Sequence, residues 1–212
     1  MTIDGGNAVQ ILLLIAALTL IPAVLFTVTG FTRILIVLGF VRTGLGTPTA
    51  PPNQVLVGIA LFLTLFVMAP TFNAIKKEAI DPLVSKEITQ AQAIKRGSIP
   101  LRQFMFSQTK TSDLALFVKL SGIKTPKTRA GVPTYVLIPA FIISGLKIAF
   151  EIGFLIFLPF LVIDLIVSST LMSMGMMMLP PVFISLPFKI LLFVLVDGWD
   201  LITSSLVKSF NG

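Results

Sequence analysis

The chain has 212 residues, 55% of them hydrophobic and only 12% charged, with a formal net charge of +7 and a mean hydropathy of +1.00. A soluble domain of this size carries about 25% charged residues, so this much apolar surface cannot be hidden inside one small soluble core. There is no cysteine and no histidine, which excludes disulfides, Ser-His-Asp and Cys-His catalysis, the HExxH zinc-protease motif and haem ligation by histidine. Neither a GxxxxGK phosphate loop nor a GxGxxG fingerprint is present, so no cofactor and no metal site is expected.

The positive charge is concentrated. Residues 76–134 hold eleven of the sixteen Lys/Arg and four of the nine Asp/Glu, which accounts for the whole net charge. No aromatic stacking platform accompanies it, so nucleic acid is not an expected partner. The opening residues, MTIDGGNAVQ, lack a basic n-region, and the apolar run after them is too long for an h-region; they do not read as a signal peptide.

No charge occurs between Asp4 and Arg33, and Ala8–Phe31 is predicted as a first membrane-type helix interrupted by Pro22. Gln54–Ile75 is predicted as a second, since a span needs about 20 apolar residues at about 1.5 Å rise each. Between them Pro48, Pro51 and Pro52 forbid a continuous helix and predict a rigid turn over Gly46–Asn53. The unit 1–75 thus reads as an apolar helical hairpin. Gly39, Gly44, Gly46 and Gly58 could allow close helix packing, with simple turn geometry favoured for Gly44 and Gly46.

Residues 76–134 read as a basic, polar, helical domain on the periplasmic side. Asp81-Pro82 can open a helix running toward Arg96 with Gly97 as its C-cap, and Ile99-Pro100 can start another. Ser112 or Asp113 can cap a short helix that Gly122 ends, with Leu114, Phe117, Val118 and Ser121 on one face. Residues 124–133 read as a loop.

Residues 135–212 form a second apolar unit. Its two helical regions, 135–179 and Val182–Val207, are interrupted by Lys147, Glu151, Asp164, Lys189, Asp197 and Asp200 and by Pro139, Pro159 and Pro187. An ionised group at a bilayer centre costs roughly 2.5–3.5 kcal/mol or more, so these helices should face protein or water as well as lipid. The tip of this second hairpin is SMGMMMLPP, 173–181. The fold class expected is all-α and membrane-type: two helical hairpins with broken helices flanking a small helical middle. Arg33 and Arg42, taken as part of a loop over 32–53, place that loop in the cytoplasm, whereas the basic middle segment opposes that orientation.

Several residues are candidates for chemistry or assembly. Met172, Met174, Met176, Met177 and Met178 hold five of the eight methionines; such flexible, polarisable side chains can form a deformable seal or simply pack. Lys147 and Glu151, four apart, can neutralise one another on one helix face or make contacts between subunits; Lys189, Asp197 and Asp200 pose the same choice. Lys147, Glu151 and Asp164 could instead serve a small ion or solute transporter. Ser144-Gly145-Leu146-Lys147 matches SxxK without an SDN or KTG partner motif, which leaves catalysis unsupported.

Three stretches together resemble a known family. FTRILIVLGFVRTGLGTPTAPPNQVLVGIALFLTLFVMAP (31–70) and FEIGFLIFLPFLVIDLIVSSTLMSMGMMMLPPVFISLPFKILLFVLVDGW (150–199) are similar to the FliP family of flagellar export proteins. PLRQFM (100–105) and DLALF (113–117) extend the likeness through the middle segment and favour the flagellar branch over the related virulence type III secretion proteins. The resemblance implies a non-enzymatic subunit, in a ring of five copies with FliQ and FliR, through whose centre unfolded flagellar proteins pass. FlhA and FlhB would be further partners, alongside membrane lipid, and the location would be the bacterial inner membrane and flagellar basal body, partly raised above the bilayer. It further implies a methionine gasket at Met176, Met177 and Met178, and inter-subunit charge contacts at Lys147, Glu151, Lys189 and Asp197. The sequence departs from the family's pattern at Gly145, where many members carry an acidic residue that contacts a lysine, Lys189 here; Glu151 is a candidate substitute.

Overall fold

The computed structural model describes residues 25–211 except 125 and 177, together with the single positions 12, 15 and 19. The predicted helix over Ala8–Phe31 therefore falls mostly outside the described residues; its last part, 25–28, is one helical turn. Most of the described residues are helical, and there is no strand among them. The protein is all-α and of membrane type.

The first long element is α1, Phe31–Leu45. Charge patterning predicts a loop over most of it, because Arg33 and Arg42 break the apolar run. Yet Phe31, Ile34, Val37, Leu38, Val41 and Leu45 recur at helical spacing, and all six are buried at the centre of the main core. Arg33 is buried too, so a count of cytoplasmic loop charges cannot use it. Gly46, at φ +75°, ends the helix in the left-handed region that glycine occupies without strain. The turn over Pro48, Pro51 and Pro52 lies where the prolines place it, with a cis Ala50–Pro51 bond, and α2 (Asn53–Ile75) begins one residue ahead of its expected start. Arg42 donates a hydrogen bond to Asn53 across this turn.

Helix α2 does not stop at Ile75. A π turn, Lys76–Ile80, and a last α turn, Asp81–Val84, extend it until Lys86 adopts φ +59°. The next helix, α3 (Gln90–Ser107), starts from a capping box: the Thr89 side chain accepts from the Gln92 N–H, and the Gln92 side chain accepts from the Thr89 N–H. It runs through Gly97 and Pro100, which local chemistry predicts as a stop and a start. Tertiary packing explains the difference. A Cβ on Gly97 would lie 3.3 Å from Cβ of Ala79, so this glycine admits the π turn rather than ending a helix.

Helix α4 (Thr111–Leu120) is ended by Gly122 at φ +66°, as expected, but its N-cap is Lys110, not Ser112 or Asp113. Its Leu114, Phe117 and Val118 pack with Val132 and Val136. Then comes α5, Thr134–Ser173, 40 residues unbroken by Pro139 and Pro159. At about 1.5 Å per residue it is about 60 Å long, twice the roughly 30 Å hydrocarbon layer. Among the described residues, two helices, Asn53–Val84 and Thr134–Ser173, are long and apolar enough to cross a membrane. The chain ends with α6 (Pro181–Leu195) and α7 (Gly198–Lys208), bent by 64° at Asp197, whose φ is +49°.

The core is built on α1 lying against α5, with the two helices interlocked. A Cβ on Gly44 of α1 would fall 2.6 Å from the Phe160 ring of α5, and a Cβ on Gly153 of α5 would fall 2.4 Å from the Phe40 ring of α1. Each helix thus offers one glycine hollow to the other's phenylalanine. Close packing is the role of Gly44, whereas Gly39 and Gly58 face nothing within 4 Å.

Candidate functional site: an apolar hairpin with its polar groups inside

Helices α5 and α6 run back to back, joined at residues 174–180. On α6, Ser185 and Lys189 are four apart and share one face. Both point inward at α5, where Ser185 Oγ donates to Asp164 Oδ1 and Lys189 Nζ donates to Asp164 Oδ2, each at 2.6 Å. Lys189 is only 3% exposed. Apart from buried Phe193, α6 is inverted relative to a soluble helix: Phe183, Phe188, Leu191, Val194 and Leu195 face outward, as do Phe154, Leu155, Leu165 and Ile166 on α5. The charge pair holds the two helices together while their apolar sides remain free.

The tip is a tight reversal. Gly175 at φ +70° donates its N–H to the Met172 carbonyl, and the Met176 N–H reaches back to Leu171, both at 3.0 Å. This turn presents methionine outward: Met172, Met174 and Met176 are exposed, and Met178 is 97% exposed. Met177 lies outside the described residues. Behind the tip an apolar cleft of about 520 Å³ opens between Val167, Leu171, Met174, Ile184 and Phe188.

A second polar cluster fastens α4 to the other half of α5. Asp113 accepts from Ser144 Oγ at 2.7 Å and from the Lys147 ammonium. The Lys110 N–H donates to Ser144 Oγ at 3.0 Å, and Lys110 Nζ pairs with Glu151 at 2.7 Å. Burial alone would raise the Asp113 carboxyl's pKa. The hydrogen bonds from Lys147 and Ser144 and the charges of Lys147 and Lys110 outweigh it and hold the carboxyl below the ordinary carboxylate range. The Asp113 side chain is closed to water, but Lys147 is about half exposed, so solvent screens the pair.

A model of the FliP family matches residues 14–206 of this sequence. The chain belongs to the FliP family. It is 55% identical over 205 residues to the flagellar biosynthetic protein FliP of Bacillus subtilis (strain 168), an alignment covering 97% of this chain and 93% of that protein. It is also 55% identical over 211 residues to the FliP of Pectobacterium carotovorum subsp. carotovorum, covering 98% and 82% of the two chains. With the FliP of Borreliella burgdorferi the identity is 52% over 213 residues, covering 97% and 84%. The two longest FliP-like stretches of the sequence fall on α1–α2 and on the α5–α6 hairpin.

Several expected site residues take other partners than the spacing suggested. Lys147 and Glu151 do not neutralise one another; each turns to α4, to Asp113 and Lys110 respectively. Lys189 pairs with Asp164 inside its own chain. Lys147, Glu151 and Asp164 are therefore divided between two clusters and form no common relay. Ser144 donates to Asp113, and Lys147 is a carboxylate-paired ammonium, so neither is arranged as nucleophile and base. Asp197 is exposed at the α6–α7 bend and makes no ion pair among the described residues. Two residues escaped sequence reasoning. Asp113 sits four before Phe117, on the packed side of α4, and Arg33 sits within the apolar stripe of α1. Charge on a buried helical stripe is the signal that could have found both.

Proposed function

We propose that this chain is a non-enzymatic subunit of the bacterial flagellar protein export gate, set in the inner membrane and basal body. Copies of it, five to a ring, join FliQ and FliR, with FlhA and FlhB as further partners, around a path for unfolded flagellar proteins. Membership of a family whose relatives are named flagellar biosynthetic proteins supports this reading. The observation that carries it is the α5–α6 hairpin, with the Lys189–Asp164 pair between its helices and apolar faces turned out along a helix about twice as long as the hydrocarbon layer is thick. Such a surface suits burial between subunits as well as against lipid.

In this reading the exposed methionine turn is the gasket of the closed pore, formed by Met176, Met177 and Met178. Thioether contacts are weak and deformable, so they can part for a polypeptide and close again. The chain divides into an apolar hairpin (1–75), a basic periplasmic unit (76–134) and a second apolar hairpin (135–212). Exposed Glu151 and Asp197, and half-exposed Lys147, are free to meet neighbouring subunits. Lys189 can do so only by leaving Asp164.

The test is the mass of the detergent-solubilised complex after co-expression with FliQ and FliR. Five copies of this chain are expected, and a single copy would overturn the reading. In a competent complex, replacing Met176, Met177 and Met178 with Ala should raise small-ion conductance. Unchanged conductance would remove the gasket.

A further inference from the structure

Helices α5 and α6 are pinned together at two levels. One pin is the set of hydrogen bonds from Ser185 and Lys189 to Asp164, and the other is the turn that joins the helices. Between the pins lies the cleft of about 520 Å³, walled by Val167 and Leu171 of α5 and by Ile184 and Phe188 of α6. Thr170 is the one lining residue with a polar side chain, and its hydroxyl already donates to the Ile166 carbonyl at 2.8 Å. Such a space offers no polar partners to an ordered water, so its natural occupant is apolar.

Two methionines of the tip stand at the mouth of this cleft. Met174 is itself part of the lining. Met176 is tethered beside it, because its N–H donates to the carbonyl of Leu171, a wall residue, at 3.0 Å. Its side chain is nonetheless 40% exposed. The tether fixes the backbone and leaves the side chain free to choose between the outer side of the tip and the cleft. An unbranched, flexible thioether makes that change by rotating its own bonds. Space around the turn does not oppose it, since a Cβ on Gly175 would meet nothing within 4 Å.

We propose that the cleft is the seat of the gasket when the gate is open: the Met176 side chain leaves the pore side of the tip and packs between Val167, Leu171, Ile184 and Phe188. This rests on the gasket reading above and adds where the methionine goes. The move exchanges contacts with other methionines for contacts with aliphatic and aromatic walls, including a thioether contact with the Phe188 ring. Apolar surface is therefore not handed to water as the pore widens, which keeps opening cheap. The Asp164–Lys189 pair, below the cleft, keeps the two walls together while the seat fills.

The test measures resting ion conductance and secretion of flagellar proteins in the complex assembled with FliQ and FliR. Val167→Trp fills the cleft from its α5 wall and leaves the tip sequence unchanged. A complex of unaltered mass is expected, ion-tight at rest, with secretion reduced about tenfold by the overfilled seat. Met176→Ala in the same chain removes the side chain that needs the seat and should restore most of the secretion, which relief of a simple packing defect would not do. Ile184→Trp, which fills the cleft from the α6 wall, repeats the pair if Val167→Trp prevents assembly. Full secretion through a plugged complex would overturn the proposal, as would a block that Met176→Ala leaves in place. Loss of assembly in both plugged variants would assign the cleft to a neighbouring subunit instead. The gasket itself fails on a separate result, unchanged conductance after its alanine replacement.

Discussion

Helices α1 and α6 are both 15 residues long and both strongly apolar, yet the fold treats them oppositely. Eight residues of α1 are buried, and six of them form the centre of the core. Only three residues of α6 are buried, and two of those, Ser185 and Lys189, are polar. Apolar composition therefore does not say what a helix faces. In α1 the charged residue is the exception inside an apolar contact; in α6 the polar face is the contact, and the apolar surface is left for whatever surrounds the chain.

The sharpest way to break this comparison is a matched pair of truncations. Leu38→Ala, in α1, should cost about 2–5 kcal/mol in the isolated chain, the range for buried leucines. Leu191→Ala, on the outer face of α6, should change the same denaturation curve by less than about 0.5 kcal/mol while weakening assembly. Equal effects in the isolated chain would mean that α6 is packed like α1.

The polar seam of α6 gives the next largest effect. Lys189→Met leaves Asp164 without its ammonium partner, and should cost about 2 kcal/mol. This is less than the roughly 3–5 kcal/mol for breaking a fully buried pair, because Asp164 retains 30% of its side-chain exposure. The double variant Lys189→Met, Asp164→Leu should recover most of the loss, measured by thermal melting in detergent. Failure to recover would point to a role for the pair beyond joining α5 to α6.

The interlock under α1 is a smaller test. Gly153→Ala relieves a helix penalty of about 1 kcal/mol, but its Cβ meets the Phe40 ring at 2.4 Å, an overpacking cost of about 1–3 kcal/mol. A net loss of about 1 kcal/mol is expected, and Phe40→Leu in the same chain should reduce it.

The smallest effect is the pH dependence of the α4–α5 cluster. Asp113 has a folded-state pKa below its unfolded value, so its contribution is fully present above about pH 4. That contribution is lost as the pH falls through the folded-state pKa. Asp113→Asn should flatten the acid limb of the stability curve, and an unaltered limb would show that the cluster does not set it.

These comparisons also show what the amino-acid pattern could reveal. The proline turn, the start of α2, the glycine at 122 and the methionine tip were legible because each is fixed by local backbone chemistry. Helix α1 was not, because Arg33 and Arg42 look like loop charges until Gln108 and Asn53 arrive from elsewhere in the chain to bind them. The continuity of α3 through Gly97 and Pro100 depends on a neighbour, Ala79, that no local rule contains. The same holds for the charge partners: spacing paired Lys147 with Glu151, whereas the fold brings Asp113 and Lys110 to them from α4.

If the chain is a subunit of the export gate, as proposed, the outer face of α6 is covered by protein once the complex has assembled. The chain has no cysteine, so Leu191→Cys supplies a single reporter. A membrane-permeant thiol reagent should label it rapidly in the isolated chain and be strongly slowed in the complex with FliQ and FliR. Equal labelling in both would contradict the claim and leave that face to lipid.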